Sequence, residues 1–69
     1  MKSITYQAGP KFVTVSAAHK RTGAQLDLSE FRSFCVHEYS YERAQEDINT
    51  LMGVISGRYP DCSVSAVWH

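Results

Sequence analysis

The sequence predicts an α+β fold: a small antiparallel β-sheet of three to five strands with one amphipathic α-helix packed on one face, in the order β-β-β-α-β. Three observations carry that expectation. Between Ser40 and Pro60, the residues Ala44, Ile48, Leu51, Met52 and Ile55 fall at i, i+4, i+7, i+8 and i+11, one apolar stripe at helical period. Lys11 to His19 and Cys62 to Trp68 instead alternate apolar and polar residues at the period of a strand. A lone amphipathic helix must bury its stripe, and one face of an antiparallel sheet is the available partner.

The elements follow in chain order. Met1 to Gln7 sets Ile4 and Tyr6 in alternation with polar residues, a short first strand, which Ala8-Gly9-Pro10 breaks. In Lys11 to His19, Phe12, Val13, Thr14 and Val15 favour extended backbone, with Val13, Val15 and Ala17 on one face. His19 to Gly23 reads as a polar hairpin turn in which Gly23 supplies a positive φ. Ala24 to Leu28 then returns antiparallel, with Ala24, Leu26 and Leu28 on one side. From Ser29 to Tyr39 the parity breaks at Glu30 and Arg32. The expectation is a bend there and a separate strand over Ser33–Tyr39.

Ser40 caps the helix, Glu42 places a carboxylate near the positive end of its dipole, and Gly57, Arg58 and Pro60 mark its stop, Gly57 as a left-handed cap. The last strand puts Cys62, Val64, Ala66 and Trp68 on one face. Thr14, Ser16, Gln25, Asp27, Ser63 and Ser65 form a wet opposite face.

Sixty-nine residues make a single α+β domain over 1–69, near the lower size for a lone hydrophobic core. Seven basic and seven acidic residues cancel, which removes the simplest case for nucleic acid or a membrane surface. The charges are nevertheless segregated. Lys2, Lys11, Lys20 and Arg21 precede any acid, whereas Thr22 to Thr50 holds six acids against Arg32 and Arg43. No run is long enough for a membrane span and no apolar leader core is evident, so a cytoplasmic location is expected. Two cysteines are too few for a disulfide scaffold.

Cys35-x-His37 would share a strand face, so that Cys62 or His69 could complete a zinc site, but the spacing lacks paired knuckle cysteines. The same pair could act as nucleophile and base, yet the sequence names no orienting third group, and a domain this small rarely encloses a ligand cleft. Neither a catalytic centre nor a cofactor or metal is therefore expected. Two charged surfaces remain. Glu42, Glu46 and Asp47 on the helix, with Glu38 just before it, form an acidic face suited to a basic patch on a partner protein, or simply a solvated face. Lys11, His19, Lys20 and Arg21 could grip phosphates from a hairpin tip, or be a solvated turn. Exposed strand edges would also allow a homodimer.

The layout of hairpin, strand, helix and closing strand resembles that of several small phage or mobile-element proteins that bind and inhibit a host complex. What this resemblance implies is a non-enzymatic protein-binding module, an inhibitor or adaptor that occupies the surface of a host protein or nucleoprotein complex. A small nucleic-acid-binding domain using the basic hairpin around Lys11–Arg21 is the alternative.

Overall fold

A computed structural model describes residues 3–69. It is an α+β structure in which strands β1 (Ile4–Ala8), β2 (Lys11–His19) and β3 (Cys62–Trp68) form one antiparallel sheet in the order β1-β2-β3. Helix α1 (Tyr41–Arg58) lies between β2 and β3 in the chain. The expected first strand begins only at Ile4, and its Met1 and Lys2 lie outside the described residues.

Chain order explains the register. β1 and β2 join through the two residues Gly9 and Pro10, with Ala8 facing Lys11 and Ile4 facing Val15. Gly9 sits at φ 65°. A proline at the second loop position cannot take positive φ, so this loop follows the glycine-first II′ pattern, whose twist matches that of the strands. What looked like a break is therefore the tightest hairpin in the protein. A Cβ on Gly9 would stand 3.4 Å from the Tyr41 main-chain nitrogen, so this turn also lets the start of α1 come close.

The helix starts as its sequence dictates. Ser40 is extended and its hydroxyl accepts from the Arg43 N–H at 3.4 Å. Its stop differs from expectation. Gly57 stays inside the helix, and positive φ among the described residues occurs only at Gly9 and Gly23. The terminator is Pro60, which has no N–H to offer and pushes Tyr59 to φ −128°, ψ 72°.

Residues 20–40 hold the main departure from expectation. Gly23 does close a tight turn at φ 73°, its N–H donating to the His19 carbonyl at 2.8 Å. The returning chain pairs with β2 only at Ala18 and Gln25, supported by Leu26 N–H to Ala17 O and His19 N–H to Ala24 O, both 2.8 Å. No strand forms over Ala24–Leu28 or Ser33–Tyr39, so the observed order is β-β-α-β rather than β-β-β-α-β. The cause is local. Asp27 Oδ1 accepts from both the N–H and the hydroxyl of Ser29, and a 3₁₀ turn follows over Ser29–Phe31. A 3₁₀ turn eclipses residues three apart, which aims Leu28 and Phe31 together into the core. Two apolar groups are thus buried by one turn, where a strand would have split them between faces.

The core lies between the sheet and a cover made of α1 and this irregular segment. Val13, Val15, Leu28, Ile48, Leu51 and Ile55 are fully buried, with Ile4, Ala17, Phe31 and Cys62 nearly so. Each large aliphatic side chain contributes about 1.5–3 kcal/mol against a marginal total. The opposite sheet face is wet and hydroxyl-rich: Thr5 meets Thr14 at 3.1 Å and Ser16 meets Ser65 at 3.4 Å.

Candidate functional site

α1 buries Ala44, Ile48, Leu51 and Ile55, so Glu42 and Glu46, one turn apart, project from its exposed outer surface. Neither has an ion-pair partner among the described residues. Glu42 lies in the first turn, where the helix dipole favours it. Glu38 is exposed in the turn before the helix, and its carbonyl accepts the Gly9 N–H at 2.8 Å.

Asp47 behaves differently from the other three. Its Oδ2 accepts both the main-chain N–H of His37 at 3.0 Å and the ring Nδ1 of His37 at 2.6 Å. The ring hydrogen bond, then the main-chain one, hold the Asp47 carboxyl below its ordinary range. Asp47 therefore clips the chain at His37 onto the helix flank. The expected four-residue acidic surface reduces to Glu38, Glu42 and Glu46.

A second clip fastens the same segment lower down. Glu30 accepts from Arg58 Nη1 at 3.1 Å and from the Tyr59 hydroxyl. That bond to a carboxylate, followed by desolvation, raises the Tyr59 phenol above its usual value. Tyr6, whose hydroxyl donates to the Phe31 carbonyl at 3.1 Å, is raised by burial. Nothing in the spacing of His37 and Asp47, or of Glu30 and Tyr59, announces these pairs, because each joins the helix to a segment of no period.

The basic set is divided by the fold. Lys11 and His19 stand at opposite ends of β2, eight residue steps or about 26 Å apart. Lys11 lies over the Tyr41 ring at 5.3 Å, a cation–π contact, while Tyr41 meets Trp68 edge-on at 5.0 Å. His19 and Arg21 line a cleft of about 510 Å³ together with Thr22 and Asp61, so a carboxylate shares the wall with the cations. Lys20 is exposed beside them and its N–H donates to the Asp61 carbonyl at 2.9 Å.

The thiols and imidazoles are dispersed as well. Cys35 is exposed and donates to the Ser33 carbonyl, and His37 is held by Asp47. His69 Nε2 meets Thr14 at 2.9 Å on the wet sheet face. Cys62, only 4% exposed, lies 3.3 Å from His19 Nδ1, its partner across β2 and β3. No group of three or more possible metal ligands occurs among the described residues. The cross-strand Cys62–His19 pair was legible only once β2 and β3 were known to pair. No described helix is long and apolar enough to cross a membrane.

No protein-family model, curated protein or solved structure matches the chain. The resemblance to small phage proteins rested partly on a strand before the helix that does not form.

Proposed function

We propose that this chain is a non-enzymatic protein-binding module that presents the outer surface of α1 to a basic patch on a partner protein. The observation that carries the reading is the state of its acids. Asp47 and Glu30 are engaged within the fold, whereas Glu42 and Glu46 stand exposed one turn apart without an ion-pair partner among the described residues, and Glu38 is exposed in the turn before the helix. A rigid helix carrying carboxylates at fixed spacing offers charge complementarity at little ordering cost. The module acts in the cytoplasm as an inhibitor or adaptor, of the kind phage and mobile elements use, by occupying a surface. The near-complete burial of the Cys62 thiol supports a non-catalytic reading.

The test is capture from a nuclease-treated host lysate by the wild-type chain and by the E38K/E42K/E46K variant, with Asp47 left intact. The expected result is a protein retained by the wild type and lost by the variant, at unchanged circular dichroism. Retention of the same protein by the folded variant removes the acidic surface from the reading. Capture that disappears with nuclease, and weakens in K20E/R21E, supports nucleic-acid binding at the His19–Arg21 end instead.

A further inference from the structure

We propose that the free edge of β3 is a self-association surface, pairing antiparallel with β3 of a second copy to make one continuous six-stranded sheet. This does not depend on what the acidic helix surface binds.

Phe12 and His69 exchange both main-chain hydrogen bonds, at 2.6 and 2.7 Å, and Lys20 N–H reaches the Asp61 carbonyl. In an antiparallel ladder such pairs alternate with non-bonded ones. The groups of Ser63, Ser65 and Val67 therefore face β2, and those of Val64, Ala66 and Trp68 face outward. β3 is the last strand of the sheet among the described residues, so this row has no strand beside it. Natural edges are blunted by lysine, proline, bulges or brevity. β3 has none of these: it is seven residues long, CSVSAVW, uncharged and regularly paired throughout.

Three features favour a second copy over a foreign strand. A two-fold axis at Ser65 sets Val64 opposite Ala66 of the second copy and Cys62 opposite Trp68 of the second copy. All seven residues then have an opposite number, Ser65 facing itself and a larger side chain facing a smaller one at the other pairs, while the Cys62 N–H stays with the Tyr59 carbonyl. On the wet face the same axis sets Val67, 58% exposed, against Ser63 of the second copy. Finally, the helix flank that carries Tyr41, in ring contact with Trp68 of β3, continues as Gln45, Asn49, Met52 and Ser56, all uncharged. The opposite flank holds Arg43, Asp47 and Arg58, the last two tied to the 30–37 segment. In a chain with seven acids and seven bases, no charged residue thus belongs to the edge strand or to this row of the helix, and the cation recorded against it is Lys11 over the Tyr41 ring.

The experiment is sedimentation of the whole chain over a wide concentration range, with residue-resolved amide exchange. The expected mass is twice 7.8 kDa, with Val64, Ala66 and Trp68 amides protected in the dimer and released on dilution. Two variants isolate the edge. Ala66→Pro removes an outward donor while leaving the β2 ladder intact, and Ser65→Lys sets like charges across the axis from an exposed position. Both are expected to sediment as monomers with wild-type circular dichroism; should the proline variant unfold, the lysine variant decides alone. A single 7.8 kDa species at the highest concentration overturns the proposal. So does a dimer that survives Ser65→Lys, or one that protects Thr5 and Gln7 on the β1 edge instead of the β3 amides.

Discussion

β2, α1 and β3 on one side, and residues 20–40 on the other, bury comparable side chains by different means. In the first region the period of the sequence selects the face: Val13, Val15 and Ala17 of β2, and Ala44, Ile48, Leu51 and Ile55 of α1, reach the core. In the second, one 3₁₀ turn set by Asp27 and Ser29 drives in Leu28 and Phe31, and two clips to the helix hold the rest. Regular elements satisfy their backbone through ladders. The irregular segment combines scattered main-chain bonds, such as Leu26 N–H to Ala17 O, with side-chain acceptors for the N–H groups of Ala24, Ser29 and His37, which makes it more dependent on single residues.

The largest expected effect tests whether the irregular segment is as integral to the core as the helix. Leu51→Ala should cost about 2–5 kcal/mol and Phe31→Ala about 3–5 kcal/mol, each near the whole stability of a chain this size. Chemical denaturation with both variants checks it. A Phe31→Ala cost below about 1 kcal/mol would show the segment to be a detachable cover rather than half of the core's lid.

Next in size is a pair of glycine substitutions that separate turn from helix. Gly9→Ala forces a side chain into φ 65° and against the Tyr41 nitrogen, and should destabilise by about 1–2 kcal/mol. Gly53→Ala meets nothing within 4 Å on the outer surface of α1 and should stabilise by about 0.5–1 kcal/mol. Thermal melts of the two variants should move in opposite directions. Movement in the same direction would contradict the turn geometry or the open helix surface.

These residues also show why the sequence was legible where it was. The bounds of β2, α1 and β3 follow from period and from Ser40 and Pro60, whose effects are local and unambiguous. Leu26, Leu28, Phe34 and Val36 keep strand parity yet form no strand, because parity does not register the competing bonds of Asp27 to Ser29. Ala8-Gly9-Pro10 reads as a break because glycine permits one unusual backbone angle and proline fixes another, although a glycine-first two-residue loop also joins strands. At the candidate site, Glu42 and Glu46 could be placed on the surface from the helical stripe alone, whereas Glu38 lies in the turn before it. The engagement of Asp47, and the separation of Lys11 from His19, required the tertiary structure.

The smallest effect concerns the clip between the two regions. Asp47 has its carboxyl held below the ordinary value by His37. A carboxylate whose folded-state value is depressed contributes stability that is fully present above its unfolded value, about 3.9, and is lost as pH falls through the lower native one. The stability difference that Asp47 contributes over Asp47→Asn should therefore be present above about pH 4 and shrink in stronger acid. Both groups are solvent-accessible, so the difference is also expected to diminish with salt. Amide exchange supplies the structural readout, since loss of the clip should speed exchange at the His37 N–H while Val13 and Leu51 stay protected. A difference that persists undiminished into strong acid would mean that Asp47 acts through shape rather than charge. The irregular segment would then be held by packing at Leu28 and Phe31 alone.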